Sequence, residues 1–205
     1  MESYLTVKKY ARTEIEIKKS RFIASVAPVD TEEEAKDFVD KLKKEFKDAT
    51  HNVHAYQVGL KGEIQRMSDD GEPQGTSGPP VLEVIKKEGL TNVVIVVTRY
   101  FGGIMLGAGG LIRAYGQAAK CGIDASGIVR RGLYENIELA LDYQQLGAVQ
   151  HYLTQQGFEV EETDYSHVVK LYLKVLVSEV DDFHSQVIEF TNGQMKIELL
   201  GQEWC

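Results

Sequence analysis

Two polar, glycine-rich segments carry most of the residue types that could do chemistry in this chain. The first reads SDDGEPQGTSGPP at residues 68–80, and the second reads TRYFGGIMLGAGGLIRAY at residues 98–115. Nine of the chain's 19 glycines fall between Gly71 and Gly110. Glycine adds no side chain to a core and costs conformational entropy on folding. Its concentration here indicates either tight turns or backbone that approaches a ligand closely.

The second segment predicts an anion site where a glycine-rich turn leads into a helix. The first turn of a helix presents unpaired N–H groups and the positive end of its dipole, and this arrangement binds phosphate. Arginine adds bidentate contacts to phosphate. The candidate phosphate-binding residues are Arg99, Tyr100, Gly102, Gly103, Gly107, Gly109, Gly110 and Arg113. Ile112 breaks the G-x-G-x-x-G fingerprint, so tight turns and helix packing also explain the glycines.

In our interpretation, the first segment is a supporting loop that shapes the site formed by the second. Its polar residues are Asp69, Asp70, Glu72, Thr76 and Ser77. The carboxylates could ligate a divalent cation, act as an acid–base pair, or pair with Arg99 or Arg113 and fix the second loop. The sequence leaves these alternatives open, and we expect no metal site, cofactor or catalytic residue.

Charge and composition restrict the partners that the chain could bind. Residues 1–131 carry 20 Lys and Arg against 18 Asp and Glu, whereas residues 132–205 carry 3 against 13. Nucleic acid, if bound, should therefore meet the first part, where Lys18, Lys19 and Arg21 form a basic cluster. No apolar run suits a membrane span or a signal peptide, and the two cysteines fit reduced thiols. We expect a cytoplasmic protein that does not bind membranes.

The hydrophobic pattern predicts an α+β chain with two domains, at 1–130 and 131–205. The first should contain strands around residues 15–29, 53–60 and 92–98, with helices at 31–49, 79–89 and 110–125. The continuous β-branched run NVVIVVT favours a strand buried on both faces. The second should follow the order β-α-β-β-α-β of a ferredoxin-like sandwich. These elements would bring the two glycine-rich segments to strand ends.

Several motifs together resemble the Impact/YigZ family. They are KKSRFIA, HNVHAY, SDDGEPQGTSGPP and VVIVVTRYFGGIMLGAGGLIRAY, and the acidic half is similar to the second domain of bacterial members. The resemblance implies a first domain similar to domain IV of elongation factor G and a ferredoxin-like second domain. It carries no catalytic residue over to this chain.

For function, the resemblance implies a link to translation. Eukaryotic relatives restrain an initiation-factor kinase by competing for its activator, through a further domain. Our leading hypothesis is a non-enzymatic protein that binds RNA or the ribosome and modulates translation, with a translation-related protein as a further possible partner. The alternatives are an enzyme acting on a phosphorylated small molecule or nucleotide at the same loops, and a protein-interaction module.

Overall fold

The computed structural model describes residues 3–205, which divide into two compact units, Ser3–Arg130 and Arg131–Cys205. These residues form ten strands and five α-helices. The strands are β1 Ser3–Val7, β2 Ala11–Ile17, β3 Ser20–Pro28, β4 His51–Val58, β5 Ile64–Ser68, β6 Val93–Tyr100, β7 Ile128–Leu141, β8 Val160–Tyr165, β9 Val169–Leu176 and β10 Lys196–Trp204. The helices are α1 Glu32–Glu45, α2 Gly78–Lys87, α3 Ala108–Ser126, α4 Leu146–Gln155 and α5 Val180–Thr191. Within this described range, none of the helices has the length and apolar character needed to cross a bilayer.

The first unit is built on an antiparallel sheet in the order β2-β3-β6-β4-β5. Its central strand β6 is buried on both faces, as the β-branched run predicted. Since side chains alternate along a strand, Val93, Ile95 and Val97 pack in one core with α2 and α3. Val94 and Val96 pack in a second core with α1 on the other face.

The topology brings the two glycine-rich segments to one edge of this sheet. Strand β4 is antiparallel to both β5 and β6, so β5 and β6 run in the same direction. Each ends at this edge and leads into a helix on the same face. We call residues 69–77, between β5 and α2, the acidic loop, and residues 101–107, between β6 and α3, the glycine loop.

The sequence did not predict β5. This strand has only five residues, IQRMS, and is the outermost strand on one side of the sheet. Its side chains are partly or fully exposed. Alternation of burial is weak in such a strand, so the sequence carries little periodic signal. The β4 backbone, which pairs His54 with Ser68 and Val58 with Ile64, holds it in place.

The second unit has the predicted β-α-β-β-α-β order and is ferredoxin-like. Within Arg131–Cys205 the strands lie in the order β10-β7-β9-β8, and each neighbouring pair is antiparallel. One face of the sheet packs against α4 and α5 through the apolar residues Leu139, Leu171, Leu153 and Phe183. The chain is therefore α+β, as predicted.

Candidate functional site

Asp69 holds the acidic loop closed. Its carboxylate accepts hydrogen bonds from the N–H groups of Gly75 at 2.8 Å, Ser77 at 3.1 Å and Gly78 at 2.9 Å, and from the Ser77 hydroxyl at 2.7 Å. Burial alone would raise the pKa of Asp69, but these hydrogen bonds together lower it below its ordinary value. A carboxylate therefore already neutralises the start of α2.

Two other polar residues of the acidic loop, Asp70 and Thr76, also make contacts within the first unit. One Asp70 oxygen lies 2.8 Å from Lys43 Nζ, and the other accepts the Asn52 N–H at 2.6 Å. The Thr76 hydroxyl donates to the Pro73 carbonyl at 2.7 Å. Burial alone would raise the pKa of Asp70, but Lys43 and the Asn52 N–H lower it below its ordinary value. In residues 3–205, His, Cys, Asp and Glu side chains nowhere converge in a set of three that could hold a metal ion.

Glu72 and Arg99 form a buried ion pair that joins the two loops. Arg99 Nη1 donates to Glu72 Oε1 at 2.6 Å, and the two residues are 5% and 8% exposed. The Tyr115 hydroxyl of α3 donates to the same oxygen at 2.7 Å. Burial, together with the Glu72 carboxylate, raises the pKa of Tyr115 above its ordinary value. These contacts of Glu72 match one of the three roles that the sequence left open to the carboxylates, the pairing with Arg99.

Arg99, which the sequence suggested as a phosphate ligand, has several partners within the fold. Its guanidinium lies between the rings of Phe22 and Phe101, with each ring centroid 5.4 Å from Cζ. Nη2 donates to Ser20 Oγ at 3.3 Å, and within the described residues Nε has no hydrogen-bond partner. The guanidinium therefore has rings on two sides and partners within the fold on Nη1 and Nη2, and Nε is its nitrogen without a described partner. Tyr100 also has partners within the fold. Its hydroxyl donates to Asp48 at 3.1 Å, and Arg21 Cζ lies 5.3 Å from the centroid of its ring.

The start of α3 is open, in contrast to the start of α2. Gly107 precedes the helix with φ 68°, a conformation that favours glycine, and none of the side chains in residues 3–205 caps this end. No acidic residue occurs in the first turn, and the first helical hydrogen bond runs from the Leu111 N–H to the Gly107 carbonyl. The first-turn N–H groups, which include those of Gly109 and Gly110, are the kind of donors that bind anions.

Basic side chains flank the glycine loop. The β2–β3 turn carries the exposed Lys18 and Lys19, and its backbone lies against Gly102 so closely that a Cβ there would overlap the Lys19 carbonyl. This approach explains why residue 102 is glycine. Arg113 is exposed on the first turns of α3, and its Nη1 would lie 3.6 Å from a Cβ at Gly109.

A small cavity of about 340 Å³ lies between the two loops. Glu72 and Pro73 line it from the acidic loop, and Phe101, Met105, Leu106 and Gly107 line it from the glycine loop. Gly103 belongs to the same loop and has φ 82°. Sequence reasoning missed the buried partners Tyr115 and Ser20, although a tyrosine on the apolar face of a helix signals a hydroxyl that needs a partner.

Comparisons with known proteins match both units. The profile of the Impact N-terminal domain matches residues 18–123, and a domain of unknown function (DUF1949) matches residues 139–194. The chain belongs to the Impact family. It is 45% identical to the IMPACT family member YvyE of Bacillus subtilis over 198 residues, covering 97% of this chain and 91% of YvyE. Identity to YigZ of Escherichia coli is 34% over 199 residues, covering 96% and 98%.

Two further matches cover different shares of the chain. Protein IMPACT of Homo sapiens is 35% identical over 95 residues, which cover 44% of this chain and 29% of that protein. A crystal structure of a hypothetical protein is 33% identical, with a TM-score of 0.64, and the match covers 99% of this chain and 100% of that one. The Impact N-terminal match contains both loops, the β2–β3 turn and the start of α3. The candidate site therefore lies within residues 18–123, which the Impact N-terminal profile matches.

Proposed function

We propose that this Impact family member binds single-stranded RNA or the ribosome, in the cytoplasm, at the glycine loop of its first unit, and thereby modulates translation. The observation that carries the proposal is the open start of α3, with the exposed Lys18 and Lys19 on the turn that lies against Gly102 and the exposed Arg113 beside Gly109. The start of α2 at the same sheet edge is already capped by Asp69. Only one of the two helix starts is thus left for an external anion.

The proposal changes which residues contact phosphate. The first-turn N–H groups of α3 would contact it, together with Lys18, Lys19 and Arg113, and Arg99 would instead hold the loops in place. The acidic second unit repels a polyanion, so it would not take part in phosphate binding. The link to translation rests on the family resemblance.

The test is cosedimentation of the full chain with purified ribosomes, together with fluorescence anisotropy on a 10-nucleotide single-stranded RNA at several salt concentrations. The site variant is Lys18→Gln, Lys19→Gln and Arg113→Gln combined. The matched control is Lys61→Gln, Lys86→Gln and Lys87→Gln, which removes the same charge from exposed positions elsewhere in the first unit.

We expect the site variant to bind weakly, with a salt slope lower by roughly 2, since each lost phosphate contact removes about 0.7 for single strands. The control should keep most of the affinity and slope. Equal effects of the two variants would mean that general charge, and not this site, governs binding. Absence of binding by the wild type at low salt to both ribosomes and RNA would refute the proposal.

A second candidate function is supported by the cavity between the loops, which could hold a phosphorylated small molecule or nucleotide. A shift of the thermal midpoint with free nucleotides or Mg²⁺, without binding to RNA, would favour it. The two candidates differ in whether a chain of phosphates is needed for affinity.

A further inference from the structure

Phe101 forms a rigid aromatic platform on the surface. Its side chain belongs to a residue that is 48% exposed, yet one face of the ring is held against the buried Arg99 guanidinium at 5.4 Å. The guanidinium is fixed in turn by Glu72 at 2.6 Å. An aromatic ring that is fixed in advance loses little entropy when a planar group stacks on it.

The cavity beside this platform is apolar on its walls and polar at its base. Met105 and Leu106 form part of the wall, and Met105 is 84% exposed, so its flexible thioether can adapt to a ligand. Glu72 and Arg99 are the two buried polar residues of the lining, and we call them its base. The volume of about 340 Å³ is at the lower end of the range for small-ligand pockets.

The polar base retains unused hydrogen-bonding capacity. Glu72 Oε1 accepts from Arg99 and Tyr115, whereas for Oε2 the described ion-pair contact is His51 Nε2 at 3.9 Å, beyond hydrogen-bond reach. Arg99 Nε is a buried donor that has no partner among residues 3–205. A buried polar atom without a partner is costly unless something satisfies it. A nucleobase edge carries both donors and acceptors.

The cavity also reaches the candidate phosphate donors. Gly107 and Ala108, which begin α3, line it together with Phe101. We infer that the cavity takes one unstacked base of the bound RNA, with the base on Phe101 and its sugar-phosphate against the first turn of α3. This inference rests on the proposed function and specifies what the site recognises. The flanking lysines favour a nucleic acid over an apolar protein side chain as the occupant.

The first test compares Phe101→Leu with Phe190→Leu, using the full chain and the 10-nucleotide RNA. Phe190 is 42% exposed and lies on α5 of the second unit, so it is a matched control for loss of an exposed ring. Stacking of a base on an aromatic side chain contributes substantially to binding affinity. We therefore expect roughly tenfold weaker binding for Phe101→Leu. Phe101→Trp should restore it, and Phe190→Leu should bind as the wild type does.

The second test observes the base directly. With ¹³C-labelled methionine methyl groups, the Met105 signal, assigned through Met105→Leu, should shift upfield when RNA binds, because a stacked base imposes a ring current on it. An abasic strand of equal length should leave the signal unshifted. If the abasic strand binds equally well, or Phe101→Leu has no effect, the inference is wrong while the phosphate site can still stand.

Three further outcomes separate the possible occupants of the cavity and distinguish this inference from the proposed function. A Met105 shift with free nucleoside monophosphate as well as with RNA would mean that the pocket takes a single nucleotide from either source, which supports the inference. A shift with an aromatic peptide and none with RNA or nucleotide would overturn it. Loss of RNA affinity in the lysine and arginine site variant, without change in Phe101→Leu, would retain the proposed function alone.

Discussion

The Glu72–Arg99 pair should contribute to stability in a way that a double-mutant cycle can measure. Both side chains are buried, and Arg99→Leu leaves the Glu72 carboxylate with the Tyr115 hydroxyl as its remaining hydrogen bond described here. Breaking a buried pair by removing one partner costs about 3–5 kcal/mol, because an uncompensated charge stays buried. We expect a loss of that order for Arg99→Leu and for Glu72→Leu. The combined variant should lie closer to the wild type, because no lone charge remains.

The assay must report on the first unit. Trp204 is the chain's one tryptophan and lies in the second unit, so tryptophan fluorescence would follow the wrong part of the molecule. Native-state hydrogen exchange of the β6 amides is suitable, since this central strand exchanges through large-scale opening. The exposed Arg113→Leu is the control and should lower the free energy of unfolding by less than about 1 kcal/mol.

Two results would refute this reasoning. If the double variant is as unstable as the sum of the single variants, Glu72 and Arg99 do not act as a pair. If Arg99→Leu, studied where it is still folded, lowers the salt slope of RNA binding, Arg99 contacts phosphate as the sequence first suggested. We expect the slope to be unchanged, because this guanidinium is enclosed by two rings and a carboxylate.

Three other predictions concern the elements around the site. Gly102→Ala should cost about 2 kcal/mol through overlap with the β2–β3 turn, whereas Gly109→Ala should stabilise the helix by about 0.5–1 kcal/mol; urea unfolding followed by circular dichroism compares them. Asp69→Ala should cost about 2 kcal/mol by the same measurement, because its loop N–H groups lose their acceptor. Burial, then Lys43, lowers the pKa of His54, so the unfolded state binds the proton more tightly. Stability should therefore fall as pH drops below about 6.5, by at most about 1.4 kcal/mol per pH unit, and His54→Gln should flatten that part of the profile.

Much of the fold could be predicted because it depends on strong periodic patterns. The β-branched run of β6 is a local signal that the structure bears out. The start of α1 is local as well, since Thr31 Oγ1 accepts the Glu34 N–H at 3.1 Å. The edge strand β5 could not be predicted in this way, since its position depends on pairing with β4 and not on its own composition.

The candidate site was less predictable because chain neighbours differ in environment. Asp70 and Glu72 are two residues apart, yet Asp70 pairs with Lys43 and Glu72 with Arg99. One signal was present in the sequence: Arg99 shares the strand face of Val93, Ile95 and Val97, which packs against α3. A period of two thus places Arg99 at the helix-facing side, where a charge needs a buried partner.

The distribution of charge differs between the two units, and the proposed binding of RNA depends on that difference. Residues 132–205 carry 13 acidic against 3 basic residues, so a polyanion approaching that unit is repelled. The first unit is almost balanced overall, and its acidic-loop carboxylates are bound by Lys43, Arg99 and backbone N–H groups. Two exposed lysines, one exposed arginine and the open start of α3 lie near the glycine loop, together with the exposed carboxylate of Asp48, which accepts from the Tyr100 hydroxyl. Attraction would therefore be local to the glycine loop, and affinity should fall with salt along a shallow slope, because few contacts supply it and the slope grows with the number of counterions released.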